Sequence, residues 1–182
     1  VVPALEMPLL KTKLEKLETT TVWIFSEKNF EERLNKNIID RYSNGRNYSV
    51  ITFLSPSINE VKFTEKNIQK DKGLLFIKSP FLSNNLSYSD IGQYLKKIKG
   101  IVNQQLSSIN EGGFLVIQTQ DIRINGYVEP LAKKVIDMLT LDNLWLKEII
   151  VVTQERHSSK IQDSEEYLKI AHQYLLVYEV KR

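Results

Sequence analysis

The sequence predicts an α/β fold built on a mostly parallel, doubly wound sheet, and two observations carry that prediction. Four short apolar runs recur along the chain: Leu74-Leu75-Phe76-Ile77, Phe114-Leu115-Val116-Ile117, Ile149-Ile150-Val151-Val152 and Leu175-Leu176-Val177-Tyr178. Unbroken apolar strands of this length are expected where a sheet is covered on both faces. Stretches of helical periodicity separate the first three runs, and strand–helix alternation is the pattern of crossover connections.

Residues 1–20 are expected to form an N-terminal helical extension, in which residues 8–18 suit a short helix with Pro8 in the first turn and Leu10, Leu14 and Leu17 at helical spacing. Val22 to Phe25 reads as a strand. Ser26 is the expected cap of a second helix that carries Phe30, Leu34, Ile38 and Ile39 on one side and ends at Ser43-Asn44-Gly45. A strand follows at residues 48–54, stopped by Ser55-Pro56. The helix between the first two apolar runs spans roughly residues 90–109, with Ile91, Tyr94, Leu95, Ile98, Val102 and Ile109 as its stripe. Lys96, Lys97 and Lys99 fall mostly on its other faces and read as a solvated surface more readily than a phosphate track. The next helix begins near Pro130 and uses Leu131, Val135, Ile136 and Leu139. The last connection is polar at residues 154–162, with a short helical stretch at residues 164–170. It fits either a parallel crossover or a mixed sheet with one antiparallel strand. No repeat or linker divides the chain, so residues 1–182 are expected to form one domain.

Composition narrows the function classes. Of 182 residues, 42% are hydrophobic and 26% charged, which fits a globular domain rather than a disordered chain. No apolar stretch approaches the roughly 20 residues that cross a bilayer, so no membrane association is expected. The chain has no cysteine, which excludes disulfides, thiolate metal sites and cysteine nucleophiles and fits a cytosolic or nuclear location. The two histidines, His157 and His172, are too isolated to propose a metal site. Twenty-five basic against 22 acidic residues give a net charge of +3, which neither demands nor forbids nucleic acid. The opening Val1-Val2-Pro3 has neither an initiator Met nor a signal-peptide pattern, and reads as the start of an excised domain.

Ligands of open α/β sheets gather outside the carboxyl ends of the strands. Those positions here hold Lys78-Ser79-Pro80-Phe81 after the first apolar run and Gln118 to Tyr127 after the second, followed by Thr153-Gln154-Glu155 after the third. The stretch GGFLVIQTQDIRINGYVEPLAKKVIDMLTLDNLWLKEIIVVTQE, from Gly112 to Glu155, reads as a strand after a Gly-Gly turn, a polar loop, a helix and a strand ending in polar residues. With the closing IAHQYLLVYEV, it resembles the second half of the adenine-N6 methyltransferases, the messenger-RNA writers and the DNA writers of unicellular eukaryotes. The resemblance covers about residues 73–182 and implies a Rossmann-like methyltransferase fold.

Members of that family carry Asp-Pro-Pro-aromatic at the end of the preceding strand. Methylating an exocyclic amine needs acceptors for its hydrogens and relief of the positive charge that develops on nitrogen, while the aromatic ring stacks on the extruded base. The matching tetrapeptide here is Lys78, Ser79, Pro80 and Phe81. Lys78 offers an ammonium, with three donors and no lone pair, and Ser79 frees a torsion that proline would hold. The seven glycines nowhere form Gly-x-Gly, which cofactor-binding turns use for close backbone approach. No catalytic residue and no cofactor are therefore expected in this chain.

The resemblance thus implies a catalytically inactive methyltransferase-fold subunit, located in the nucleus. It would form a heterodimer with an active adenine-N6 methyltransferase homologue that carries S-adenosylmethionine. It would support that partner's active site and help bind nucleic acid, with DNA favoured over RNA. Asp121, Arg123, Asn125 and Tyr127, in the loop at residues 120–129, and Arg156 and Lys160 are the candidate interface residues. Other readings leave Lys78 as a solvated strand end, Phe81 in the core, Asp121 and Arg123 as an exposed ion pair, and His172 as a residue that orients the last strand. Two further function classes stand as alternatives: an active adenine-N6 methyltransferase and a standalone nucleic-acid-binding module.

Overall fold

The computed structural model describes residues 21–52, 62–66, 71–78, 87–155 and 170–182. In chain order they form β1 (Val22–Ser26), α1 (Phe30–Tyr42), β2 (Asn47–Thr52), β3 (Lys62–Lys66), β4 (Lys72–Lys78), α2 (Tyr88–Gln105), β5 (Ile109–Thr119), β6 (Ile122–Ile124), β7 (Tyr127–Glu129), α3 (Leu131–Met138), β8 (Leu144–Glu155) and β9 (His172–Val180). The helix expected at residues 8–18, the Ser55-Pro56 stop and all but the last residue of the stretch at residues 164–170 lie outside the described residues.

Helix α1 forms because Phe30, Leu34, Ile38 and Tyr42 recur every fourth residue and all become buried. Its first turn holds Glu31 and Glu32, and its last turn Arg41, each sign matched to the helix dipole. Ser26 is not its cap. That serine ends β1, and the chain enters the helix through Asn29 in a left-handed conformation, with no capping side-chain hydrogen bond. The exit runs through Asn44 and Gly45, both at positive φ, which suits these two residue types. Helix α2 starts earlier than expected, at Tyr88, because Ser87 and Asp90 form a reciprocal capping box: Ser87 N donates to Asp90 Oδ2 at 2.8 Å. It also ends earlier. After a 3-10 turn at Leu106–Ser108, Ile109 opens β5 and buries its side chain in the same core as the α2 stripe.

Seven strands pair in the order β1-β8-β9-β5-β4-β2-β3. The pairs β1–β8, β2–β4 and β4–β5 are parallel, whereas β2–β3, β5–β9 and β8–β9 are antiparallel. This is a mixed α/β sheet with two antiparallel members, β9 and β3, where one was expected. Strand β3 was not anticipated: Lys62-Phe63-Thr64-Glu65-Lys66 carries charge at three of five positions and lies at the sheet edge, where charged strands are common. The Gly112-Gly113 pair is no turn between elements. It falls inside β5, with Gly112 at φ 71°, where the β4–β5 register jumps between Lys72 and Leu74.

Two cores flank the sheet. On the α1 side lie Trp23, Phe25, Leu34, Ile38, Leu74, Phe76, Val116, Ile150, Val152, Leu175 and Val177. On the α2–α3 side lie Leu75, Ile77, Tyr94, Ile98, Leu115, Ile117, Leu131, Val135, Leu176 and Tyr178. Alternate residues of β4, β5 and β9 feed the two cores in turn, which is why those runs are unbroken in sequence. Each fully buried aliphatic side chain contributes about 1.5–3 kcal/mol, whereas an exposed ion pair such as Lys36–Asp40 is worth roughly 0–1 kcal/mol. The cores therefore dominate stability. Strand β8 departs from the expectation of two covered faces. Ile150 and Val152 are buried, but Leu146 and Ile149 remain exposed near the sheet edge. The hydroxyl of Tyr42 donates to Glu148 Oε2 at 2.6 Å and ties the end of α1 to β8.

Candidate functional site

The carboxyl ends of β1, β2, β4, β5 and β8 share one edge of the sheet, and antiparallel β9 brings its first residues to the same edge. Thr119 lies opposite Tyr174, and Thr153 opposite His172. Two polar clusters result, one on each face.

On the α1 face, Lys78 closes β4 beside Thr52 and Gln118. It is not a solvated strand end. Its side chain is 11% exposed, and Nζ donates to Glu31 Oε2 at 2.6 Å. The ammonium also lies 6.0 Å from the centroid of the Phe76 ring. An ammonium held this way presents donors only. Gln118 Nε2 donates to Gln173 Oε1 at 2.6 Å on the same face, joining β5 to β9. Ser26 and Arg33 bind each other at 3.2 Å and tie the end of β1 to α1. Ser79, Pro80 and Phe81, the remainder of the tetrapeptide, lie outside the described residues.

On the α2–α3 face, Tyr94 and Thr119 share a buried hydroxyl–hydroxyl hydrogen bond of 2.7 Å. Asp121, just past β5, accepts from Ala132 N at 3.3 Å and so holds the start of α3. Tyr174 sits between Asp121 and His172. Its hydroxyl is 2.8 Å from His172 Nε2, and the two rings meet edge to face. Burial first, then the charge and hydrogen bond of Asp121, push this phenol above its ordinary range. These bonds link β5, α3 and β9 at this end of the sheet.

The polar loop expected at residues 120–129 is a hairpin, β6–β7. Ile122 pairs with Glu129, Arg123 with Val128 and Ile124 with Tyr127. The turn residues Asn125 and Gly126 both have positive φ, 51° and 84°, as a type I′ turn requires. Ile122 and Ile124 anchor the hairpin in the core, and Arg123 Nη1 donates to Gly126 O at 2.9 Å. Glu129 pairs with Lys134 at 2.9 Å, and that hydrogen bond, followed by the lysine's charge and a hydrogen bond from Tyr88, holds the carboxyl below its usual range. What projects from this base is Tyr127, 77% exposed, with Val128 and Tyr88 also exposed.

The sequence-derived interface residues thus divide. Asn125 and Tyr127 face solvent, while Asp121 and Arg123 are half-buried and make the internal bonds described above. Arg156 and Lys160 lie outside the described residues. Sequence reasoning missed Glu31, Tyr88, Val128 and Tyr174. A signal for the hairpin was present, since Asn125-Gly126 between Ile-Arg-Ile and Tyr-Val-Glu is a hairpin pattern. Nothing local marks Glu31, which meets Lys78 from 47 residues away. Among the described residues, no group of three or more acidic or histidine side chains is placed to hold a metal ion. No helix among them is long and apolar enough to cross a membrane. No family model matches this chain, and no curated protein matches it.

Proposed function

We propose that this chain is a catalytically inactive, Rossmann-like methyltransferase-fold subunit. In this reading it pairs with an active adenine-N6 methyltransferase that carries S-adenosylmethionine, supports that partner's active site and helps bind nucleic acid, DNA in preference to RNA, in the nucleus. The observation that carries the reading is Lys78. At the carboxyl end of β4, where amine methylation needs lone pairs, the chain holds an ammonium engaged with Glu31 at 2.6 Å. The return of β9 between β5 and β8 agrees with the mixed sheet expected of such a fold.

The hairpin is the element this reading assigns to partner contact. Ile122 and Ile124 bury its base and Arg123 ties its turn, so Tyr127 and Val128 are presented from an anchored support, and exposed tyrosines are enriched among interface residues that dominate affinity. Co-purification of the tagged protein from its native source, followed by methylation assays with and without it, tests the proposal. A catalytic homologue should co-elute and lose activity without this chain, and Tyr127→Ala should weaken the complex by roughly tenfold or more, the scale of an interface anchor. Methyl transfer by the isolated chain, or the absence of any methyltransferase from the purified complex, refutes the reading.

A further inference from the structure

The first residues of β9 meet the end of β5 at the carboxyl edge of the sheet, where ligands of α/β sheets gather. His172 and Tyr174 stand two residues apart on β9 and so share the α2–α3 face. The Tyr174 hydroxyl lies 2.8 Å from His172 Nε2, and the rings cross at 85° with centroids 5.0 Å apart. The same hydroxyl is hydrogen-bonded to Asp121, whose Oδ1 also accepts from Ala132 N at 3.3 Å. One phenolic oxygen thus joins a carboxylate to an imidazole.

A phenol has one proton, so it donates to only one of these neighbours. A carboxylate only accepts, whereas an imidazole nitrogen donates or accepts according to its tautomer. Given to His172, the proton would leave phenol lone pairs facing carboxylate lone pairs, in a half-buried place where such contacts are costly. Given to Asp121, it makes a charge-assisted bond, roughly twice as strong as a neutral one, and the imidazole completes the chain by donating from Nε2. A neutral imidazole has one N–H, so Nδ1 is then the lone-pair nitrogen. We propose that Asp121, acting through Tyr174, fixes His172 as its Nε2–H tautomer and so sets Nδ1 as an acceptor at the ligand edge of the sheet. Asp121 and Tyr174 are positioning residues. The class of group that Nδ1 receives follows from them: an amine, amide or hydroxyl that brings a proton, not a carboxylate or phosphate. This assignment is independent of the methyltransferase reading.

Nitrogen NMR reads the tautomer directly. The chain has two histidines, so His157→Gln leaves a single imidazole to observe. In this isotope-labelled full-length parent at about pH 8.5, above the ordinary imidazole value of about 6.5, two-bond nitrogen–proton correlations should show Nε2 protonated and Nδ1 bare. Adding Asp121→Ala frees the phenol to donate to Nε2. The share of the Nδ1–H form should then rise roughly fivefold, the ratio set by one net hydrogen bond of about 1 kcal/mol. Tyr174→Phe removes the hydroxyl that relays the bond and keeps the ring, so its share should fall between the other two. A parent protein mainly in the Nδ1–H form overturns the proposal. So does a share that Asp121→Ala leaves unchanged, or that Tyr174→Phe leaves unchanged where the alanine variant does not fold.

Discussion

Removing Glu31 isolates what the structure says about Lys78. The lysine side chain keeps 11% of its exposure and the glutamate 54%, so one partner is largely stripped of water while the other remains solvated. Glu31→Ala leaves the ammonium in place without its carboxylate. The expected cost is about 1–2 kcal/mol, above the range of an exposed pair and below the 3–5 kcal/mol of a wholly buried one. Lys78→Met removes the charge and leaves an apolar side chain of similar length near Phe76, so it should lie within about 1 kcal/mol of wild type. In that background, Glu31→Ala should cost almost nothing, which gives a coupling of about 1 kcal/mol or more. Lys78→Asp, made together with Ser79→Pro to restore the family's tetrapeptide, sets a second carboxylate near Glu31. It should destabilise more than Lys78→Met and yield no methyl transfer. Urea unfolding reads all of these. With a slope of about 2 kcal/mol/M, Glu31→Ala should lower the midpoint by roughly 0.5–1 M at unchanged slope. An unchanged midpoint, or an equal loss with and without Lys78, refutes the reasoning.

Two further outcomes follow from buried phenols. Tyr178 is 2% exposed, and its hydroxyl has no hydrogen-bond partner among the described residues. Tyr178→Phe should therefore raise the urea midpoint, by about 1 kcal/mol in stability, because burying an unsatisfied hydroxyl costs roughly 1–3 kcal/mol; a loss of stability would point to an unseen partner. The phenols of Tyr42, Tyr178 and Tyr174 are all raised, Tyr42 by burial and then by the Glu148 hydrogen bond and charge, Tyr178 by burial, and Tyr174 by burial and then Asp121. The unfolded chain ionises its tyrosines at about pH 10, so their contribution is complete below that pH and is lost as pH rises beyond it. The urea midpoint should decline above pH 10, less steeply in Tyr42→Phe and in Tyr178→Phe. Identical slopes in wild type and both variants would exclude these groups.

Much of the fold was legible in the sequence because its central strands are buried on both faces. The runs at residues 74–77, 114–117 and 175–178 alternate between two cores and so show no polar break. Helices α1, α2 and α3 were equally plain, since each buries one stripe at helical spacing. The ends of elements were less so. Ser26 looked like a cap and is the last residue of a strand, because pairing with Glu155 of β8 took precedence over local capping chemistry. Strand β3 carries little apolar signal, since an edge strand is held largely by backbone bonds to its one neighbour.

By itself, the sequence determined that the chain is an α/β protein with a donor-only side chain at the end of its first buried run. That follows from residue type and apolar periodicity, which are local properties. The tertiary structure alone decided that β9 returns antiparallel between β5 and β8, that Lys78 meets Glu31, and that Asp121 and His172 converge on Tyr174. Each of these depends on strand order and on contacts between distant residues. Local pattern constrains which face a residue occupies, but not which neighbour awaits it there.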